Sequence, residues 1–517
     1  MMSPLVKIFG NLLAPYVWKF HNALQNPQAA QQSVQQEIFR HLAASEYGKS
    51  LNIRSVADWN RIPIVDYDDM KEWLDKQQKS NAPILTPEPI LLYEKTSGSR
   101  GPAKLIPYTK SLKNSFNQMF CIWAHDLIMH GPSFSTGKIY FCISPQLDNS
   151  PKNEQGVTVG MRDDSEYLDG WLRSFLSPFL VAPAGLHRLK NAEEFKEKLS
   201  QALLIEENLE VISIWSPSFL KVILDYIQTN RMRLREELKN KISAKRYRLL
   251  LEPKIEWMQI WSELKLISCW DSANAADGAG FLRSLFPHVL IQGKGLLATE
   301  APMTIPLIEA KGCVPLVDEV FFEFEDNEGK IHRLHEIKPG NIYEIIISQK
   351  GGLYRYRMGD RVRVSHFYKS TPCLEFIGRT QETSDLVGEK LYSDFVRDVI
   401  EDLALEGTFF KSLVPATKPK EHYILLLDSA KESPDAIAQR LDNALMRSHH
   451  YRHARLLGQL SPARVLVSAQ IPEIAIAYKT QSGMKWGDMK HPILITKPLT
   501  EELLNKLEKV SQEKSIC

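Results

Sequence analysis

Thr96-Ser97-Gly98-Ser99-Arg100-Gly101-Pro102-Ala103-Lys104 stands between two apolar runs, Ile90-Leu91-Leu92-Tyr93 and Leu105-Ile106-Pro107-Tyr108. Hydroxyl side chains, two glycines and a closing lysine make a compact loop between strand-like segments. Glycine lets the backbone turn its N–H groups outward, and these together with Ser and Thr hydroxyls cradle phosphate oxygens. The loop is not a Walker A sequence, because GxxxxGK[ST] is absent, and no GxGxxG fingerprint occurs. A plain hairpin turn draws on the same residue types. The loop therefore points to phosphate chemistry only in company with other groups.

On either side the texture is α/β. Residues before Pro89 read as helical, with a proline-rich passage from Ile62. Ile139 to Ile143 and Val211 to Trp215 are short β-branched runs, and helical patterns cover Asn191 to Glu207 and Ser218 to Leu250. That alternation predicts partly parallel sheets. From Val317 to Arg379 the runs shorten: Phe321 to Phe324, Ile342 to Ile347, Leu353 to Arg357 and Leu374 to Ile377 are separated by turn residues, which predicts an antiparallel meander or small β-barrel. Beyond Thr383 the pattern becomes α+β, with strands at His422 to Leu427 and Ala463 to Ser468, and helices at Ser433 to Arg447 and Thr500 to Val510. The expectation is a large α/β domain of mixed and parallel sheets over residues 1–383, and a smaller mobile α+β domain over residues 384–517, joined by a hinge.

The 517 residues are too many for one core, so two or more domains are required. No stretch approaches the ~20 apolar residues that cross a bilayer, which excludes integral membrane association. Met1 to Phe20 reads as an amphipathic helix docked on its domain, with a membrane-surface helix as the alternative. The 64 basic and 62 acidic residues leave a net charge of +2, which gives no general field for nucleic acid. The basic run Arg231 to Lys254 is interleaved with leucines and reads as a solvated helix face. Six scattered cysteines, with no CxxC pair and no zinc spacing, fit a reduced, cytoplasmic setting.

Further segments carry candidate chemistry. Gly295-Leu296-Leu297-Ala298-Thr299-Glu300 ends an apolar strand with a hydroxyl and a carboxylate. One carboxylate beside nucleotide phosphates is a usual support for Mg²⁺, although a solvated glutamate at a strand end is commoner. Tyr354-Arg355-Tyr356-Arg357-Met358-Gly359-Asp360 reads as a strand ending in Gly-Asp, which points a carboxylate at paired hydroxyls such as those of ribose; an ordinary turn aspartate is the alternative. Phe376-Ile377-Gly378-Arg379 precedes Ser384 to Lys390, and Gly483-Met484-Lys485-Trp486-Gly487-Asp488-Met489-Lys490-His491-Pro492 is a loop rich in glycine and lysine. Three other features read as structural: His449, His450 and His453 as solvated, Trp257, Trp261 and Trp270 as core, and Phe321 to Asp326 as one amphipathic strand running into a turn.

In this order the segments resemble the adenylate-forming superfamily of acyl-CoA ligases and luciferases. Within it the chain looks like the Gretchen Hagen family of acyl acid amido synthetases, from about Gln35 onward. The versions Ala298-Thr299-Glu300 and Gly388-Glu389-Lys390-Leu391 look like its bacterial branch. The resemblance implies ATP and Mg²⁺ as cofactors, a small carboxylic acid as substrate, and an amine or amino acid as acceptor. It implies that Thr96, Ser97, Gly98, Ser99, Gly101 and Lys104 hold the β- and γ-phosphates. Ala298 and Thr299 would lie at the nucleotide, with Thr299 and Glu300 meeting the α-phosphate and Mg²⁺. Asp360 would bind ribose with Tyr356 nearby. Phe376 and Arg379 would sit at the nucleotide, the latter beside the hinge. Lys490, favoured over Lys485 by its Lys-x-Pro setting, would be the mobile catalytic lysine. Arg100 departs from the small residue usual at its place, and Ile493 stands where plant relatives carry arginine. An acyl-CoA ligase sharing the adenylate step and a catalytically silent nucleotide-binding regulator are the rival readings.

Overall fold

The computed structural model describes residues 4–95, 104–141, 172, 174, 176–181, 185–186, 189, 191–272, 275–379, 383–481 and 492–512. The chain separates into two compact units, residues 1–270 with 285–377, and residues 271–284 with 378–517.

The first unit begins with the helix Pro4–Gln25. Its buried stripe of Val6, Phe9, Leu13, Val17, Phe20 and Leu24 lies on the helix Lys110–His130. At Gly10 a Cβ would stand 3.0 Å from Ile128 Cγ2, so the two helices approach closely there. This is the docked amphipathic helix that the periodicity predicts. Asn26, whose side chain accepts from Ala29 N, and Pro27 at the first helical position start the next helix, Pro27–Ala44.

The parallel sheet is four-stranded, with Lys138–Phe141, Leu209–Ser213, Leu266–Ser268 and Leu290–Gln292 side by side in chain order. Every residue of Leu209–Ser213 is buried, as expected for a strand covered on both faces. The long helical pattern from Ser218 is broken. Pro217–Glu237 ends, and a second helix, Ala244–Leu249, starts where Ser243 Oγ accepts from Arg246 N. Arg246 also corrects the reading of this run as a solvated face. It is buried and donates to the carbonyls of Leu204, Glu206 and Ile260, which end neighbouring segments.

The antiparallel sheet runs in the order Ile331–Arg333, Phe321–Glu325, Ile342–Gln349, Leu353–Tyr368, Thr371–Arg379. The ribbon of Thr304–Leu307 with Gly312–Pro315 shares its buried cluster. Phe321–Glu325 is not amphipathic. Glu323 is 1% exposed, because Arg355 meets both its oxygens at 2.9 and 3.1 Å and Trp59 Nε1 donates at 3.1 Å. Arg355 has φ 45° and also donates to the Ile62 carbonyl at 2.7 Å. A buried carboxylate is tolerated only with such partners. Trp257 and Trp261 stack in the core at 5.5 Å, whereas Trp270 is only half-buried and lies against Trp215.

In the second unit Lys411–Ala416, His422–Leu427 and Arg464–Val467 form one sheet, antiparallel then parallel. Alternation puts Leu413, Tyr423, Leu425 and Val465 into one buried cluster, and Val414, Ile424, Leu426 and Leu466 into another. Helices cover both faces. The segment Ser384 to Lys390 closes on itself: the buried Glu389 carboxylate accepts from Leu386 N, Val387 N and Tyr423 Oη. His449, His450 and His453 are exposed on the helix His449–Leu456, in keeping with solvated side chains. No helix among the described residues is long and apolar enough to cross a membrane.

Candidate active site

The loop that opens the sequence argument is carried by an antiparallel pair, Leu92–Lys95 with Leu105–Tyr108. Thr96, Ser97, Gly98, Ser99 and Gly101 lie outside the described residues. Lys104 is exposed, with its Nζ 5.0 Å from the centre of the Tyr67 ring, and Leu105 N donates to Tyr67 Oη at 3.1 Å. At the end of the same strand the phenol of Tyr108 is fully buried and donates to the Thr299 carbonyl at 2.8 Å. One hydrogen bond thus joins the phosphate-type hairpin to the Thr-Glu segment, 191 residues apart in the chain.

Thr299 and Glu300 do not merely end a strand. They are the two-residue turn between Leu297–Ala298 and Ala301–Pro302. Gly295 sets the entry to this turn. Its φ is +68°, and a Cβ there would stand 2.6 Å from Thr304 Oγ1, the atom that accepts from Leu296 N. Ala298 and Thr299 are half-buried, while Glu300 is 8% exposed. Among the described residues the group of three side chains spaced like metal ligands is Asp126, His130 and Glu309, without Glu300. Asp126 is otherwise engaged, since its Oδ2 accepts from Ile308 N at 2.6 Å.

Asp360 is placed differently from the expectation. It lies inside the strand Leu353–Tyr368, because the Arg361-Val362-Arg363-Val364 alternation continues the pairing past it. Between the pairs Ile346–Arg357 and Glu344–Arg361 the long strand carries extra residues, and Gly359 takes φ +75°. This bulge re-aims the chain, and Asp360 is 3% exposed. Tyr356 is buried in the same cluster as Tyr108, with Leu297, Ala298 and Phe376 packed against it. Arg379 ends its strand and belongs to the second unit. Lys485 and Lys490 lie outside the described residues.

The sequence reading missed a pocket that is open to solvent. Its wall includes Met119, Phe120 and Trp123 from the helix Lys110–His130, Trp215, and Leu297, two residues before Thr299. Lys294 also lines it, with its Nζ bonded to Ser213 Oγ at 2.9 Å and Ser268 Oγ at 3.3 Å. The sequence signal was Gly293-Lys294-Gly295, a lysine set between glycines where an apolar strand ends. For Tyr108 the signal was a tyrosine in an apolar run, since a buried phenol needs a partner.

Three family profiles match the chain in order: the GH3 family N-terminal domain over residues 17–291, the central domain over 313–379 and the C-terminal domain over 394–498. The chain belongs to the GH3 family. It is accordingly an adenylate-forming amido synthetase, an ATP-binding ligase. As a GH3 chain it is 22% identical over 443 residues to the indole-3-acetic acid-amido synthetase GH3.4 of Arabidopsis thaliana, covering 74% of this chain and 73% of that protein. It is 21% identical over 499 residues to the jasmonoyl–L-amino acid synthetase JAR6 of Nicotiana attenuata, covering 83% and 84%. Its fold matches the AtGH3.15 acyl acid amido synthetase in complex with 2,4-DB, with a TM-score of 0.84, 18% identity and 96% of each chain covered. A looser fold match, TM-score 0.54 at 13% identity over 95% of this chain and 93% of the other, is to a 2-hydroxyisobutyryl-CoA ligase in the postadenylation state. GH3 membership accounts for the mixed α/β architecture with a larger N-terminal and a smaller C-terminal part.

Proposed function

We propose that this GH3 chain activates a small carboxylic acid as its acyl-adenylate and passes the acyl group to the amine of an amino acid. The observation that carries the reading is the Tyr108 Oη to Thr299 carbonyl bond, which fixes the Thr299–Glu300 turn against the hairpin ending in Lys104. A carboxylate is a poor electrophile at neutral pH. One of its oxygens attacks the α-phosphorus of ATP, the bond to the β-phosphate oxygen breaks, and pyrophosphate leaves. The amine then attacks the acyl carbon, loses a proton, and AMP leaves. Positioning and charge stabilisation do most of this work, so no side-chain nucleophile is required.

In this reading Thr96, Ser97, Gly98, Ser99, Gly101 and Lys104 cradle the outer phosphates. Ala298 and Thr299 face the α-phosphate. Glu300 holds Mg²⁺, which supplies charge neutralisation at the phosphates. Asp360 takes the ribose hydroxyls, its bulge serving to turn the carboxylate out of the strand, and Tyr356, Phe376 and Arg379 complete the nucleotide site. The pocket beside Leu297 takes the acyl group. The large part, residues 1–383, carries both substrates, and residues 384–517 move about a hinge near Arg379 to Asp385 so that Lys490 serves the first step only. The ribbon and the five-stranded sheet pack on one core, which supports reading them as a small barrel. The Ala298-Thr299-Glu300 and Gly388-Glu389-Lys390-Leu391 forms support a bacterial-type member, and the cysteine pattern supports a cytoplasmic one.

The test is ATP–pyrophosphate exchange over a panel of carboxylic acids, followed by mass spectrometry of reactions given mixed amino acids and coenzyme A. Acid-dependent exchange and an amide product are expected. A thioester product alone would move the reading to an acyl-CoA ligase, and no exchange with any acid would move it to a silent nucleotide binder.

A further inference from the structure

The end of the helix Lys110–His130 carries Asp126 and His130 one turn apart, which puts both on one face. Glu309 comes to them from the turn between Thr304–Leu307 and Gly312–Pro315. One ligand-type atom from each of the three side chains lies within 4.8 Å of those of the other two. His130 Nδ1 stands 3.0 Å from Asp126 Oδ1, and His130 Nε2 stands 4.0 Å from Glu309 Oε2. The turn is fixed from two sides. Ile308 N donates to Asp126 Oδ2 at 2.6 Å, and His366 Nε2 donates to the Ala310 carbonyl at 2.8 Å. Asp126 is thereby buried and rigid, with its Oδ1 left toward the other two groups, while the His130 and Glu309 side chains are 38% and 42% exposed. The Tyr368 hydroxyl is the largest cause holding the Glu309 carboxyl below its ordinary value, so this group is anionic.

From this arrangement we infer that Asp126, His130 and Glu309 bind one divalent transition-metal ion of the zinc class, separate from the Mg²⁺ of the adenylation reaction. The donor set decides the class of ion. One imidazole nitrogen with two carboxylate oxygens suits zinc, whereas Mg²⁺ and Ca²⁺ take oxygen ligands. Zinc bonds such atoms at ~2.0–2.2 Å, so ligand atoms around it stand about 3–4 Å apart. The spacing here needs a small closure, which the two exposed side chains can make while Asp126 stays fixed. The Ile308 N–H on the second oxygen of Asp126 is the kind of outer support that orients a ligating carboxylate. The surrounding charges divide. Burial is the largest cause keeping His21 and His125 below their ordinary values, so both add little positive charge, but Lys369 beside His21 opposes a cation. Three direct bonds have to outweigh it. The helix brings Met119 and Trp123 to the pocket beside Leu297, and the strand Thr304–Leu307 brings Ile305 and Pro306. An ion tying the helix end to the turn after that strand braces two walls of the pocket.

The test adds Zn²⁺ alone to the chelator-stripped full chain, without nucleotide or acid, and follows binding by calorimetry. Co²⁺ serves as the spectroscopic stand-in. Saturable one-to-one binding at micromolar zinc is expected, with the visible bands of a low-coordinate Co²⁺ site. His130→Ala and Glu309→Gln change exposed side chains, so both variants should fold, and each should weaken zinc by about tenfold or more and remove the Co²⁺ bands. Zinc should raise the Tm of the unaltered protein, reversibly with EDTA, and leave the Tm of both variants unchanged. His449 and His453 are the control, because their rings stack one turn apart on an exposed helix and could take up zinc there. His453→Ala should leave the titration as it is. Absence of binding at micromolar zinc would overturn the inference. So would binding that both His130→Ala and Glu309→Gln retain, or binding that His453→Ala abolishes. None of these results bears on acyl activation, which is read from exchange with ATP and acid.

Discussion

Tyr108→Phe removes one oxygen atom from a fully buried side chain and leaves its ring in place. What it takes away is the 2.8 Å bond to the Thr299 carbonyl. A bond of this kind contributes about 0.5–1.5 kcal/mol net, and the carbonyl left behind costs about 1–3 kcal/mol if water cannot reach it. Thr299 is half-buried, so water reaches its turn and the lower figures apply. The expected loss of stability is therefore about 1 kcal/mol. The functional loss should be of similar size, because this bond ties hairpin to turn. If it positions the α-phosphate site, the same 1 kcal/mol or slightly more appears in the barrier, lowering kcat/KM for exchange by about five- to tenfold. The assay is exchange at saturating and limiting ATP, with urea unfolding of the same preparations. Full activity in a variant destabilised by the expected amount would refute the claim that the tie positions the site.

Four further outcomes are expected. Glu323→Ala leaves Arg355 buried without its carboxylate, and urea unfolding should show a loss of about 3–5 kcal/mol; a loss below 1 kcal/mol would mean the pair is effectively solvated. Burial, and next the charge of Glu319, raise the Asp318 carboxyl from its ordinary 3.8 to about 6. The folded protein thus binds that proton more tightly than the unfolded chain, so the penalty for ionising it is absent at low pH, grows between pH 3.8 and about 6, and is full above. Asp318→Asn, which can still accept from Gln118 Nε2, should stabilise the protein at pH 7.5 by up to about 3 kcal/mol and much less at pH 4.5; an equal gain at both would sink this account. Glu300→Gln should lower exchange in a way that raised Mg²⁺ partly restores, and full activity at limiting Mg²⁺ would remove Glu300 from the metal site. Lys490→Ala should slow adenylate formation by about tenfold for each 1.4 kcal/mol of transition-state stabilisation lost, while supplied acyl-adenylate still yields amide at near the unaltered rate. Lys485→Ala should do neither, and equal slowing of both half-reactions by Lys490→Ala would argue against domain alternation.

The chemistry was legible where residue type and order carry it. Serine, threonine, glycine and lysine between two apolar runs mark the phosphate-type hairpin from Thr96 to Lys104, and Ala298-Thr299-Glu300 follows nearly two hundred residues later in a fixed order. The strands Val211 to Trp215 and His422 to Leu427 were readable because burial on both faces demands continuous β-branched or leucine-rich runs, which is a local property. What failed locally was whatever depends on a distant partner. Glu323 looks like the solvent side of an alternating strand, and it is buried because Arg355, Arg333 and Trp59 meet its carboxylate. Arg246 reads as one charge in a basic face until three carbonyls from other segments meet it. Asp360 reads as a strand end because Gly359 precedes it, yet the pairing of Arg361 with Glu344 carries the strand onward and makes the pair a bulge.

Order and residue type along this chain therefore determined its family chemistry, since phosphate loops and turn carboxylates are short-range devices. The tie from Tyr108 to Thr299 and the lysine between Trp123 and Trp215 were decided by tertiary structure alone. Each joins segments far apart in the chain, and the energy of a buried hydroxyl or ammonium depends on which groups the fold brings within about 3 Å of it rather than on its neighbours in sequence.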